Sequence, residues 1–176
     1  MPKHISNSKT TKKAAISLTF EKDDVAVVET NVDDISGEVV GRAIERLLEE
    51  GAYDATAISF LGKKGRMGQT IRVTCPVDSA ERFASFLVEE TGTLGVKISQ
   101  HTRLIVPRKE MSVPVSIKNF KGTVRVKISD VRGRKRIKPE YADAARISEL
   151  EHVPLRDVLE IISDTTRRYI GEHSSF

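Results

Sequence analysis

Residues 53–76, YDATAISFLGKKGRMGQTIRVTCP, decide the fold. Tyr53–Leu61 reads as a strand and Gly62–Gly68 as a turn made of glycines and cations. Gln69–Cys75 reads as a second strand, in which Ile71, Val73 and Cys75 alternate with Arg72 and Thr74. That alternation leaves one face wet, as in an antiparallel sheet with a single covered side. Pro76, which has no amide hydrogen for a ladder, ends the run.

Working outward, each side of this hairpin adds a strand and a helix. Upstream, Val25–Thr30 is a short β-branched strand, and Val40, Ile44, Leu47 and Leu48 follow at helical spacing. Asp34 or Ser36 supplies the cap of that helix, and Gly51 stops it. Downstream, Asp78 with Glu81 three residues on forms a capping box, and Ala80, Phe83, Ala84 and Leu87 make the buried stripe. Thr91-Gly92-Thr93 then turns the chain into a strand over Leu94–Pro107. The order β-α-β-β-α-β predicts an α+β, ferredoxin-like sandwich with both helices on one face of an antiparallel sheet.

Beyond it, the alternating runs Val113, Val115, Ile117 and Val124, Val126, Ile128 flank Asn119–Gly122 and predict an added β-hairpin. A basic loop and two C-terminal helices follow; Pro139 starts the first and Pro154 the second. The organisation is then a flexible basic leader over 1–23, with a short strand at Ile16–Phe20, and the ferredoxin-like domain over 24–108. The hairpin extension covers 109–130, and the basic loop with its helices 131–176.

Composition narrows the classes. No apolar run approaches the roughly 18 residues that span a bilayer, and no signal-peptide core opens the chain, so a cytoplasmic location is expected. One cysteine, Cys75, excludes an internal disulfide and a cysteine-cluster metal site. The net charge of +4 is local: residues 130–138 hold five cations against Asp130. With 5% aromatic residues and no Trp, few stacking platforms exist for single strands, so nucleic acid is not the expected partner.

In a β-α-β-β-α-β sandwich three connections emerge at one end of the sheet. Here the first is Glu29–Glu38, with Glu29, Asp33, Asp34 and Glu38 as carboxylates. The second carries Lys63, Lys64 and Arg66 between glycines, and the third is Thr91-Gly92-Thr93-Leu94-Gly95. Carboxylate oxygens suit a hard divalent cation, and lysines and arginine suit phosphate oxygens. A metal–nucleotide triphosphate satisfies both loops. The same residues also have a plain structural use, since acidic groups in a first helical turn are favoured by the helix dipole.

Glu29–Glu38, Lys63–Arg66, Glu90–Val96 and Lys138-Pro139-Glu140-Tyr141-Ala142-Asp143 together, in this order, resemble the nickel-insertion (LarC) family, specifically its C-terminal module over about residues 25–165. The resemblance implies a role in building the nickel-pincer cofactor of lactate racemase-like enzymes. Family members are nickel chelatases (lyases) that insert nickel, the substrate metal, into a pyridinium bisthiocarboxylate mononucleotide, using CTP with manganese or magnesium. It implies Lys63, Lys64, Arg66, Lys138 and Tyr141 as nucleotide contacts, the last two reached across a subunit boundary. It implies Glu29, Asp33, Asp34 and Glu38 near the metal, with Glu29 either joining the others or orienting the loop. A homo-oligomer and a separate histidine-rich N-terminal nickel module are the implied partners. The alternative readings are a non-catalytic regulatory domain binding a small metabolite, or an RNA-binding protein using the tail and the Arg132–Lys138 loop.

Overall fold

The computed structural model describes residues 18–173 and divides into two compact units, Lys22–Ile105 and the chain from Val106 onward, with which the described residues up to Glu21 are grouped. The first unit runs β1 (Glu21–Val32), α1 (Gly37–Glu49), β2 (Asp54–Leu61), β3 (Met67–Pro76), α2 (Ala80–Thr91) and β4 (Lys97–Ile105). Its sheet has the order β2-β3-β1-β4. β3 is antiparallel to both neighbours, with Val73 opposite Val28 on β1 and Ala55 on β2. Side-chain bonds Lys97–Glu29, Thr102–Asp24 and Arg103–Asp23 keep one antiparallel register between β4 and β1.

One sheet face carries Ala26, Val28, Val32, Ile71, Val73 and Cys75, which meet Val40 and Leu47 of α1 and Phe83 and Leu87 of α2. Both helices therefore cover the same side, as the alternation of the hairpin requires. Each fully buried large side chain contributes about 1.5–3 kcal/mol over its exposed state.

Ser36, not Asp34, caps α1: its hydroxyl accepts from the Val39 amide at 3.4 Å. The expected capping box at Asp78 is not formed. Val77–Ser79 is already a 3-10 turn, so Asp78 lies inside a turn instead of before one, and its carboxylate accepts from the Ser79 hydroxyl. β4 begins three residues later than expected because Gly95 gives its carbonyl to threonine hydroxyls and not to a ladder. At the other end, β1 already runs from Glu21, where the sequence suggested leader. Of the short strand expected at Ile16–Phe20, the first two residues lie outside the described ones, and Leu18–Phe20 have no regular structure.

The second unit runs β5 (Arg108–Ile117), β6 (Phe120–Val131), β7 (Arg134–Pro139), α3 (Tyr141–Glu151) and α4 (Leu155–Glu172), with sheet order β5-β6-β7. Val113, Val115, Ile117, Val124 and Val126 pack on Ala144 and Ile147 of α3 and Val158 and Ile162 of α4. The hairpin turn is Lys118-Asn119, tighter than the Asn119–Gly122 expected. Lys118 takes φ +50, and the turn is tied to Glu151, whose side chain accepts the Asn119 amide at 3.1 Å.

The largest departure is β7, which occupies the stretch read as a basic loop. Arg132 and Gly133 both have positive φ (55° and 76°), and the Asp130 carboxylate accepts the Gly133 amide at 2.7 Å. That is the backbone of a tight two-residue hairpin turn. It folds the cations back along β6, with Ile137 opposite Ile128 on the covered face. Pro139 consequently ends a strand, and α3 starts at Tyr141.

Candidate functional site

Gly68 brings the acidic and basic connections together. It lies opposite Phe60 in the β2–β3 ladder, while Val32, the last residue of β1, lies opposite Gln69. A Cβ at position 68 would come within 2.6 Å of the Val32 carbonyl oxygen and 2.5 Å of the Phe60 ring. Only glycine allows that approach. The residue after Val32 and the residue before Met67 are thereby neighbours, and Arg66 Nη1 stands 3.5 Å from Asp33 Oδ2. Opposite charges from separate connections thus meet at one rim of the sandwich.

The basic turn holds its shape through its own backbone. Gly62 donates its amide to the Arg66 carbonyl at 2.7 Å, and Lys64 and Gly65 follow one another with φ +58 and +72. Lys63 and Lys64 are exposed, as are Asp33, Asp34 and Glu38 on the acidic side. Between the two sides lies a shallow cavity of about 290 Å³ lined by Asp33, Ile35, Ser59, Met67, Gly68 and Gln69.

The third connection is fastened to the first by Thr30. Its buried hydroxyl donates to the Gly95 carbonyl at 2.8 Å and meets the Thr93 hydroxyl at 2.7 Å. Thr91 is tied in turn to the Leu87 carbonyl at 2.6 Å. All three connections therefore share the rim, with the acidic loop leaving β1 three residues after the Thr30 clamp. Thr30 and Thr93 were not among the sequence candidates. Their signal was a hydroxyl at position 30, in phase with core-facing Val28 and Val32.

Glu29 does not join the rim carboxylates. Its Oε1 accepts from Lys97 at 2.9 Å, and its Oε2 accepts from both Nε and Nη2 of Arg72 at 2.9 and 2.8 Å. Lys97 first and Arg72 second hold its carboxyl below the usual range. It organises the outer sheet face. Among the described residues no group of three or more His, Cys, Asp or Glu side chains is gathered for a metal ion. The rim can offer one or two hard carboxylate oxygens from Asp33, Asp34 and Glu38. That donor set suits magnesium or manganese held jointly by protein and phosphates with water completing the shell, and does not suit an all-protein cage. Lys138, on β7, and Tyr141, 68% exposed at the start of α3, stand in the second unit.

Comparison with known proteins agrees with these motifs. The model of the family described as "Nickel insertion protein" matches residues 7–159. A putative nickel insertion protein of Methanothermobacter thermautotrophicus is 46% identical over 141 residues, which is 79% of this chain and 34% of that protein. One of Methanothrix thermoacetophila is 37% identical over 155 residues, covering 86% of this chain and 38% of the relative. The chain thus spans little more than a third of such relatives. Among solved structures, the apo C-terminal domain of a cyclometallase involved in the synthesis of the NPN cofactor of lactate racemase superposes with TM-score 0.75. It is 29% identical, and the match covers 84% of this chain and 99% of that domain. No helix among the described residues is long and apolar enough to cross a membrane.

Proposed function

The chain belongs to the nickel insertion protein family, and on that premise we propose that it is the CTP- and divalent-metal-binding C-terminal module of a nickel chelatase. In this reading it serves the maturation of a nickel-pincer cofactor, with nickel and a pyridinium mononucleotide as substrates of the complete machinery. The observation that supports it best is the Arg66–Asp33 pair at 3.5 Å, since it joins the phosphate-binding and metal-binding chemistries at one rim.

Each group then has a task that its position suits. Lys63, Lys64 and Arg66 neutralise the triphosphate, and the fork of Arg66 suits two phosphate oxygens at once. Asp33, Asp34 and Glu38 supply carboxylate oxygens to the cation that accompanies the nucleotide. Such a cation, when bound, withdraws charge from the phosphates. Thr30 and Thr93 hold the third connection against β1, and Glu29, braced by Arg72 and Lys97, keeps β1 in place beside its neighbours. Lys138 and Tyr141 belong to the other unit and enter this reading as nucleotide contacts reached across a subunit boundary.

The test is calorimetric titration of the whole chain with CTP, with manganese and with chelator. The reading expects binding with manganese, and a loss of about tenfold or more in K63A/K64A, which removes two cations from phosphate. CTP affinity that is unchanged by chelator and by K63A/K64A would overturn it. Nickel retention, measured on the chain together with a histidine-rich partner module, tests the chelatase role.

A further inference from the structure

The β5–β6–β7 sheet is open along β7, an outermost strand. Glu140 donates its amide to the Arg125 carbonyl at 2.9 Å, which fixes the phase of the β6–β7 ladder. In an antiparallel pair, bonded and non-bonded positions alternate. In the observed register, Arg134 and Arg136 therefore turn their backbone groups to β6, while Lys135, Ile137 and Pro139 turn theirs to the open side. Pro139 agrees with that phase, since it has no amide hydrogen for the ladder. Among the described residues, no hydrogen bond reaches the outward amides and carbonyls of Lys135 and Ile137.

The side chains beside this edge carry charge. Arg134 and Arg136 stand on the face opposite Ile137, both exposed and without a carboxylate partner among the described residues. Lys135, on the other face, is already paired with Asp130 at 3.2 Å.

We propose that the open edge of β7 is a docking site for an acidic, extended segment of another protein. The segment adds a fourth, antiparallel strand and sets carboxylates opposite Arg134 and Arg136. These arginines are about 6.7 Å apart along β7, which is also the two-residue repeat of an added strand, so carboxylates at alternate positions face both. Backbone bonds to Lys135 and Ile137 supply the hold, and the charge pairs select the sequence. Cations along an edge otherwise discourage pairing. Carboxylates in the matching phase turn that obstacle into attraction.

A second copy of this chain has no such segment to give. Carboxylates two residues apart occur only at Glu21/Asp23 and Glu149/Glu151. The first pair lies in β1, an inner strand of its sheet, and the second in α3. A polynucleotide fits less well, because its phosphates accept hydrogen bonds and donate none to the outward carbonyls. The inference uses none of the rim residues and neither Lys138 nor Tyr141.

The experiment titrates the full chain at low salt with a fluorescent peptide of about eight residues that alternates Glu and Val. Two further peptides carry N-methyl groups, one on every Val amide and one on every Glu amide. The Val amides face Lys135 and Ile137, so methylating them should weaken binding about tenfold, while methylated Glu amides, turned outward, leave most of the affinity. R134A/R136A should bind the parent peptide about fivefold or more weakly, and the rim variant K63A/K64A should change it less than twofold. R134K/R136K, which keeps the charge, should retain most of the affinity, and thermal melting checks that each variant is folded. Amide exchange at Lys135 and Ile137 should slow when the peptide is bound. The proposal is overturned if the parent peptide does not bind, if R134A/R136A binds it as wild type does, or if the Val-methylated form binds as the parent does. A ten-nucleotide RNA that binds through Arg134 and Arg136 more tightly than the peptide overturns it as well. Absence of manganese-dependent CTP binding in the same preparation strikes the rim reading alone.

Discussion

Two antiparallel sheets, each covered by helices on one side, differ in what they do with the other side. On the exposed face of the first, Glu29 answers both Arg72 and Lys97, Asn31 accepts from Thr70, and Asp23 binds Arg103, which also lies over the Tyr53 ring at 4.8 Å. The cations Arg72, Lys97 and Arg103 are all answered there. On the second, Asp143, Glu140 and Glu110 satisfy the central strand, while Arg108, Arg136 and Lys138 on the flanking strands are left over. The comparison teaches that a count of cations says little until their carboxylates are found. The first unit concentrates its available charge at a rim, and the second spreads it over a face.

The largest effect that would sharpen this contrast comes from the cores. Phe83 is 1% exposed in the first unit, and truncating such a residue costs about 3–5 kcal/mol. F83A should remove hydrogen-exchange protection from β1–β4 while leaving β5–β7 protected. Equal loss in both would show that the two faces belong to one cooperative body.

Next is G68A, which forces a methyl group against the Val32 carbonyl oxygen and the Phe60 ring. Overpacking of this kind costs about 1–3 kcal/mol, and it should splay the rim without touching the second face. Chemical denaturation together with CTP titration checks it: lowered stability with weakened nucleotide binding is expected.

A smaller effect comes from D33N. Exposed ion pairs contribute about 0–1 kcal/mol, so releasing Arg66 should tighten CTP binding in chelator by up to about fivefold. With manganese the same variant should bind more weakly, through the lost carboxylate. Tightening under both conditions would show that Asp33 opposes the nucleotide and has no part in holding the metal.

The smallest concerns acid. Glu29 is held below the usual carboxylate range by Lys97 and Arg72, and Asp143 by Arg125. A carboxylate with a lowered folded-state value stabilises the fold above its unfolded value. That contribution disappears as pH falls through the folded one, here from about pH 4 downward. E29Q and D143N should therefore flatten the acid limb of stability, each in its own unit, as read by urea melts between pH 3 and 6. An acid limb identical to wild type would show that these pairs are screened to insignificance.

Much of this was legible residue by residue. The alternation Ile71, Val73, Cys75 announced a one-sided sheet, and the three connections at one end of it, one acidic and one basic, announced a shared rim. β7 was not legible, because a strand with one apolar residue, Ile137, among cations has no hydrophobic period to read. Its existence depends on the Arg132-Gly133 turn, a backbone conformation that arginine does not advertise. Glu29, read as either a fourth rim carboxylate or a support of the loop, could not be assigned from the sequence for a similar reason: its neighbours in space, Arg72 and Lys97, are 43 and 68 residues away in the chain.

The order of strands and helices in the first unit, the helix-covered face of its sheet and the family were determined by the sequence alone, since period, cap and motif are local properties. Which charges are already spent, and which stay available to a ligand, was decided only by the tertiary structure. The reason is physical: a strand's side chains are neutralised across the ladder by strands that the chain reaches much later, so availability is a property of the register and not of the run.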